Sequence, residues 1–338
     1  MTRRYTETAR LTEGHTAQGI TCVEFNPDGT LLATGGMDGR LCIWDAEQGR
    51  LLHQYITLSA VPITSLGWID AERPTVMVGN KSGNLVIVVV NQTDLSSSGF
   101  WAHRYPVECL AIQDDLVASG ACSELKVWKR DADHTYKWTA LIQEPPLESI
   151  DGQEIIVTGI QWIPSDKYGR LLIAAYMFHG VQMLETVTWA QVRHIPIKGK
   201  IASASVSEDG TRIAISNLTT GFNIYLLKTG ELLHSFEHNV GDCLPTPVRF
   251  IHAGQAVVGG TTVGKVNMWD FVCGKMPSLP IPNHGRVLAI AAHDTGEAGG
   301  YRLRLATATF PRQSKPVCII WEALRDPGPH FFAIAIRI

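Results

Sequence analysis

The sequence predicts an all-β protein built from seven copies of a four-stranded unit. The first observation is residues 14–49, where short apolar and β-branched runs alternate with turns rich in Gly, Pro, Asn and Asp. The second is that similar first strands recur 42 to 50 residues apart, beginning near Ile20, Ile63, Val107, Val157, Ile201, Pro245 and Val287. A four-stranded repeat of about this length is typical of a propeller blade. The sequence therefore predicts a seven-bladed β-propeller with four antiparallel strands per blade.

The first unit shows the pattern most clearly. Short strands separated by turn residues form an antiparallel meander, and the four predicted strands of this unit are Ile20–Phe25, Leu31–Thr34, Leu41–Trp44 and Leu51–Ile56. A second landmark gives the same count of seven, because the third strands of successive units end at Trp44, Val88, Trp128, Leu184, Tyr225, Trp269 and Trp321.

The two ends of the repeat region predict how the ring closes. After Trp321 the chain is too short for a regular fourth strand, whereas Tyr5–Leu11 alternates in polarity before the first unit begins. We expect Tyr5–Leu11 to form the outer strand of the last blade, which leaves no open sheet edge between the first and last blades. Residues 1–324 are thus predicted to be one propeller, and residues 325–338 a C-terminal tail that follows a Pro- and Gly-rich break.

Composition narrows the class of protein. The chain has 338 residues, of which 45% are hydrophobic and 18% charged, so it can fill a core and is not expected to be disordered. A net charge of -3 argues against nucleic-acid partners. No apolar run reaches the roughly 18 residues of a membrane helix, and the first residues lack the apolar region of a signal peptide. Seven cysteines without a C-x-x-C pair indicate reduced thiols, and we expect a cytoplasmic or nuclear protein.

Three dipeptides, Gly14-His15, Trp44-Asp45 and Trp269-Asp270, carry a family resemblance. With the repeat length, they make the chain resemble the WD-repeat family over about residues 4–322. The resemblance implies a hydrogen-bonded structural tetrad in the first blade, formed by His15, Thr34, Asp38 and Trp44. The chemistry is sensible, since a buried indole N–H needs an acceptor and a hydroxyl can both accept and donate. We expect this tetrad to stabilise the fold rather than to catalyse a reaction.

The other units keep the tetrad residues only in part. The third has Ser123 where the acid is expected, and the second and fourth have Val78 and Ala175 at the hydroxyl position, so we expect apolar packing to hold those two blades. The tetrad-type residues that remain elsewhere are His103, Ser119 and Trp128 in the third unit, Trp269 in the sixth, and His284, Thr307 and Trp321 in the seventh.

Motifs that suggest chemistry are few. Residues 259–265 match most of a phosphate-binding G-x-x-x-x-G-K loop, but Val266 replaces the Ser or Thr, and the segment continues as a strand instead of a helix. Lys126, Lys129 and Arg130 form the densest basic cluster, which we expect to be solvated. The sequence predicts no catalytic residues, no cofactor and no metal. A propeller enzyme stays a remote alternative, which convergent titratable groups in the central channel would favour.

The resemblance also implies where a partner binds: on loops beside the start of each first strand and beside the acid position of the tetrad. Met37 and Phe178 are candidate apolar anchors, and three cations favour an acidic peptide. The predicted partner-binding rim comprises Met37, Lys81, Glu108, Phe178, Lys200, Thr219, Thr262 and Arg286. Two long loops, Gln143–Ile155 and Ala308–Pro316, are expected on the same face.

These residues predict a non-enzymatic scaffold with protein or peptide partners. The alternative is a specific version of the same class, an adaptor or substrate-recognition subunit of a chromatin-modifying or ubiquitin-ligase complex. Partner identity and oligomeric state have no signature in the sequence.

Overall fold

A computed structural model describes residues 4–16, 18–70, 73–131, 135–142, 152–237, 244–282, 285–297, 300–311 and 314–324. They form seven antiparallel sheets, and the inner strand of each sheet contacts the inner strands of its two neighbours, so that the contacts close into a ring. The prediction of a seven-bladed β-propeller is confirmed. The helical structure of the described residues is a 3₁₀ turn at Leu58–Ala60. It is too short to cross a membrane.

Blades 1 to 5 follow the chain from the centre of the ring outward. Blade 1 contains β2 (Ile20–Phe25), β3 (Leu31–Gly36), β4 (Arg40–Asp45) and β5 (Arg50–Ile56), and blade 2 contains β6 (Ile63–Asp70), β7 (Thr75–Asn80), β8 (Asn84–Val90) and β9 (Leu95–Trp101). Blade 3 contains β10 (Cys109–Gln113), β11 (Leu116–Ala121), β12 (Glu124–Arg130) and β13 (Tyr136–Ile142), and blade 4 contains β14 (Val157–Ser165), β15 (Gly169–Tyr176), β16 (Gly180–Glu185) and β17 (Gln191–Ile195). Blade 5 contains β18 (Ile201–Val206), β19 (Arg212–Asn217), β20 (Gly221–Leu226) and β21 (Leu232–Glu237).

Blade 6 has an interrupted outer strand. Two short pieces flank Pro277 and pair separately with the third strand, consistent with a proline that has no N–H to donate. Its strands are β22 (Val248–Ile251), β23 (Ala256–Gly260), β24 (Lys265–Asp270), β25 (Gly274–Lys275) and β26 (Leu279–Pro280).

Blade 7 joins the two ends of the chain. It contains β27 (Arg286–Glu297), β28 (Gly300–Phe310), β29 (Cys318–Leu324) and β1 (Tyr5–Leu11). β1 runs antiparallel to β29, with Leu11 opposite Cys318 and Tyr5 opposite Ala323, and the predicted closing strand is confirmed. Outside the described residues lie the predicted tail 325–338, His284, and parts of the two long loops, residues 143–151 and 312–313.

The core lies between the blades. Phe25, Leu32 and Trp44 of blade 1 pack in one cluster with Ala306 and Ile320 of blade 7. Such contacts follow from the two-residue period of a strand, which turns alternate side chains toward opposite neighbouring blades.

A polar contact also joins the closing blade to the first one. The Arg302 guanidinium binds Glu322 at 2.7 Å within blade 7 and reaches Glu47 of blade 1 at 3.2 Å. Arg304, 7% exposed, binds Glu47 and donates to the Gly29 carbonyl at 2.9 Å. Blade 7 is therefore tied to blade 1 by side chains as well as by the chain connection between them.

Candidate partner-binding face

The two sets of loops predicted to bind partners meet at one end of the ring. We call this end the upper face; it carries the loops that enter the inner strands and the turns between each second and third strand. The Met37 N–H donates to the Gly19 carbonyl at 3.0 Å, and the Lys81 N–H donates to the Pro62 carbonyl at 2.9 Å. Each turn is thus bound to the loop that enters its own blade, so that the two sets form one surface.

Seven of the eight predicted rim residues are at least partly exposed on this face. Lys81, Glu108, Lys200 and Thr219 are exposed, while Met37, Phe178 and Arg286 are half-buried. Thr262 is 5% exposed, so it offers little surface to a partner. In its turn, the Thr261 hydroxyl binds the N–H groups of Val263 and Lys265 and the Lys265 carbonyl, and Val263, 43% exposed, points outward instead.

The same turn contains the segment that resembles a phosphate-binding loop. Residues 259–265 run from the end of β23 through the turn into β24. Because two of the N–H groups of the turn are already bound to the Thr261 hydroxyl, they do not form a cradle for a phosphate at a helix N-terminus. This segment is a hairpin turn.

Blade 4 differs by one residue from the register expected from the sequence. In blade 1, Leu32 pairs with Trp44 and Thr34 lies two residues later. In blade 4, Leu172 pairs with Leu184, so the hydroxyl position belongs to Ala174 and the assignment of Ala175 is wrong. In blade 1 the acid Asp38 lies four residues after Thr34. The residue four positions after Ala174 is Phe178, so Phe178 occupies the acid position of blade 4. The run LLIAAYMF has no Ser, Thr, Asp or Glu that could fix its register in the sequence.

Phe178 and Lys200 come together on the upper face. The Lys200 ammonium lies 5.6 Å from the centre of the Phe178 ring, within the range of a cation–π interaction. The two residues belong to adjacent structural units, since Phe178 lies in the turn of blade 4 and Lys200 directly precedes the inner strand of blade 5.

The four residues of the blade 1 tetrad are hydrogen-bonded in series. The Trp44 indole N–H donates to the Thr34 hydroxyl at 2.9 Å, and His15 Nε2 lies 2.8 Å from the same oxygen. His15 Nδ1 lies 3.2 Å from Asp38 Oδ1. The other carboxylate oxygen accepts the Thr16 N–H at 2.7 Å. These bonds connect the loop before β2 to the turn after β3.

Charge strengthens this chain. Burial disfavours the imidazolium, but the hydrogen bonds from His15 to Asp38 and Cys42 outweigh it and raise the pKa of His15 to about 9. Burial by itself would raise the pKa of the Asp38 carboxyl, but the bonds to His15 and to the Thr16 N–H lower it to about 2. At neutral pH the two side chains form an ion pair whose members are 1% and 7% exposed.

Blade 3 contains a second set of this kind. His103 Nε2 lies 2.7 Å from the Ser119 hydroxyl, which also accepts the Trp128 indole N–H at 2.8 Å. The acid is Glu124, 2.9 Å from His103 Nδ1, one residue after Ser123, which stands at the position expected for the acid. The acids come from different places in the hairpin. Asp38 lies in the turn, four residues before Cys42, the partner of Thr34. Glu124 is the first residue of β12, two residues before Lys126, the partner of Ser119.

Lys126 belongs to this buried set and not to a solvated cluster. It is 9% exposed, lies 3.0 Å from Glu124 and donates to the Ala102 carbonyl at 2.8 Å. Its neighbour Lys129 does fit the expectation, with 58% of its side chain exposed. Burial, and the nearby Lys126 ammonium, lower the pKa of His103 to about 4 despite Glu124. His103 is therefore neutral at a pH where His15 is charged.

Replacing Lys126 should reveal this difference. In Lys126→Met we expect the pKa of His103 to rise by about 1 pH unit or more, because the substitution removes the cation that lies beside the imidazole and Glu124. Titration of the histidine resonances by NMR measures it. Lys129→Met, which removes an exposed cation from the same strand, is the control and should leave the titration unchanged. An unaltered His103 pKa in Lys126→Met would mean that burial alone keeps the ring neutral.

The inner strands of all seven blades surround an axial cavity of about 680 Å³. It contains titratable groups, which the enzyme alternative requires. Burial raises the pKa of Glu24, although Arg249 opposes it, and raises that of Glu108. Burial also raises the pKa of Cys22 to about 12. A thiol that stays protonated is a poor nucleophile, and no cluster of His, Cys, Asp and Glu among the described residues could hold a metal ion.

Comparison with known proteins identifies the repeat. The family model described as "WD domain, G-beta repeat" matches residues 6–45. Protein groucho of Drosophila melanogaster is 42% identical over 59 residues, which are 18% of this chain. The matched segment makes up 8% of groucho, so the similarity extends over a small part of that relative. Residues 6–45 therefore match a WD repeat, and the closed ring of seven four-stranded blades supports the resemblance of the chain to the WD-repeat propeller family.

Proposed function

We propose that the chain is a non-enzymatic scaffold that binds protein or peptide partners, acidic ones above all, on its upper face. The observation that carries the proposal is the pairing of Phe178 with Lys200, which places a half-buried aromatic ring and an exposed cation together at the boundary of two blades. Loops held on a rigid scaffold are the usual location of binding residues.

The rest of the rim supports the same kind of partner. Met37 is half-buried and supplies a second apolar contact. Lys81 is exposed and forms no ion pair within the described ranges. Apolar anchors supply most of the affinity of an interface, whereas exposed cations speed and orient the encounter with an acidic partner. Binding should therefore weaken as the salt concentration rises.

Two observations support a scaffold rather than an enzyme, and a third supports a location in the cytoplasm or nucleus. The tetrads of blades 1 and 3 consist of side chains bound to one another and to the backbone. The Cys22 thiol in the axial cavity is protonated at neutral pH. The six cysteines of the described segments are free, as expected in the cytoplasm or nucleus.

Two substitutions test the rim directly. In pull-downs with the tagged full chain, Phe178→Ala and Lys200→Glu should each reduce partner recovery about tenfold, the effect of losing one anchor of an interface. Circular dichroism must show that both variants are folded. The partners are identified by mass spectrometry.

Matched controls come from the lower ends of the same two blades. Val187, 83% exposed, lies between β16 and β17, and Lys228, also exposed, lies between β20 and β21. Val187→Ala and Lys228→Glu should keep every partner. If the rim variants fold and also keep every partner, the rim proposal is wrong, and the lower face or the blade edges become the candidates.

A further inference from the structure

The end of β9 and the loop that follows it present two large aromatic side chains to solvent. Trp101 is 61% exposed and Tyr105 is 44% exposed. Between them, Ala102 and His103 are buried, and His103 is bound to Ser119 and Glu124 of blade 3. The loop is therefore fixed by its centre while its aromatic side chains project. Such preorganisation reduces the entropy that a partner's binding would cost.

The same loop rests on the upper turn of blade 2. The N–H groups of Ala102 and His103 both donate to the Gly83 carbonyl, at 3.0 and 2.9 Å. The contact is so close that a Cβ on Gly83 would lie 2.0 Å from the His103 carbonyl oxygen. Lys81, two residues before Gly83, is thus held beside the aromatic loop.

On the other side of Lys81 lies the loop that enters blade 2. Its Pro62 carbonyl accepts the Lys81 N–H. Leu58, in the 3₁₀ turn at the start of this loop, is 88% exposed. The next two residues, Ser59 and Ala60, have φ of 57° and 51°, a left-handed conformation that costs energy for residues other than Gly. A strained turn thus holds a leucine outward on the same face.

The charges of this surface are one-sided. Lys81 and Arg104 are exposed, and within the part of the chain that the structure describes neither side chain forms an ion pair. Glu124 is bound to Lys126 and His103, and the Lys126 ammonium lies 6.0 Å from the Trp101 ring. Glu108, further along the loop, lines the axial cavity. The surface therefore combines exposed apolar side chains with two cations that form no ion pair among the described residues.

We propose that this surface, formed by Leu58, Lys81, Trp101, Arg104 and Tyr105, is an anchor site for an acidic peptide that carries a large apolar side chain. The aromatic side chains and Leu58 would contact the apolar residue, and Lys81 and Arg104 would pair with the flanking carboxylates. The inference rests on the proposed function of the upper face, but it assigns the contact to blade 2 and names the partner's chemistry.

A displayed library of random 12-residue peptides, selected against the full chain at low salt, tests the proposal. The enriched peptides should carry Leu, Phe or Trp flanked by Asp or Glu. Fluorescence anisotropy of an enriched peptide should then show at least about tenfold weaker binding to Trp101→Ala, Tyr105→Ala and Arg104→Glu. Val187→Ala is the control and should bind as the unaltered chain does. Binding should also change the tryptophan emission of the unaltered chain, and change it less in Trp101→Phe.

The possible outcomes separate this inference from the proposed function. Enriched peptides that lose binding in Phe178→Ala and Lys200→Glu, but not in the blade 2 variants, overturn the inference and leave the upper face as the binding surface. Peptides that bind all of these variants equally overturn both. Enrichment of peptides without acidic residues, or no enrichment, overturns the inference. If Trp101→Ala is less stable in thermal unfolding, because its ring covers Lys126, Tyr105→Ala and Arg104→Glu decide the result.

Discussion

A chain that lacks residues 1–12 should lose at least the roughly 2–5 kcal/mol of folding free energy that truncation of one buried leucine costs. β1 pairs with β29 from Tyr5 to Leu11, and Leu11, 2% exposed, packs in the core between blades 7 and 1. Without β1, the outer side of β29 becomes an open edge, and the first and last parts of the chain lose their common sheet. Thermal unfolding followed by circular dichroism should show a melting temperature several degrees lower.

A shorter deletion provides the control. Removal of residues 1–4 leaves β1 intact and should leave the melting temperature unchanged. If the chain without residues 1–12 also melts like the full chain, β1 adds no stability, and the ring is held by contacts between blades such as the one from Arg304 to Glu47.

The ring itself could be predicted because its signals are local and repeated. Each blade has strands of a few residues bounded by Gly, Pro, Asn or Asp, and an error in one repeat is corrected by the spacing of the others. Four inner strands begin at the predicted residues, namely Ile20, Ile63, Val157 and Ile201. The others begin within three residues of the predicted start, since the limits of a strand depend on its pairing partner as well as on its own residues.

The polar set of blade 3 could not be predicted in full, because its acid is placed by cross-strand register. Glu124 acts from the first position of β12, where blade 1 has Arg40, and not from the turn, and linear spacing does not reveal this. The burial of Lys126 has the same origin, because its position opposite Ser119 directs its side chain toward Glu124. The sequence does contain one signal, because Glu124 directly follows Ser123, the position at which the acid is expected.

The sequence indicates the exposure of the large side chains around the upper turn of blade 2 even less clearly than it indicates the acid of blade 3. A tryptophan at the end of an outer strand and a leucine in a loop are equally compatible with burial. Their exposure is decided by how the two loops pack on the turn at Lys81–Gly83. Only His103, as a tetrad residue, indicated that one of these loops is fixed in place.

Asp38→Ala should lower the free energy of unfolding by about 1–3 kcal/mol, because it leaves the buried His15 without its carboxylate partner. The loss should depend on pH. The pKa of His15 is raised from 6.5 to about 9, so this contribution is complete below pH 6.5 and disappears as the pH rises through 9. The pKa of Asp38 is lowered from 3.8 to about 2, so its contribution disappears as the pH falls through 2. Urea unfolding at pH 5.5 and pH 9.5 should therefore show the larger effect at pH 5.5.

The corresponding substitution in blade 3 is the matched control. Glu124→Ala removes the acid from a histidine whose pKa is lowered to about 4, so His103 is neutral at both pH values and the contribution of its imidazole should be the same at each. If Asp38→Ala is equally destabilising at pH 5.5 and 9.5, then hydrogen bonding without charge explains the blade 1 tetrad. A variant that keeps its full stability but loses its partners would instead place Asp38 in the binding surface. The contrast between the blades follows from the residue opposite the hydroxyl, which is Cys42 in blade 1 and Lys126 in blade 3, and from the acid, which is Asp38 in the turn or Glu124 at the start of the strand.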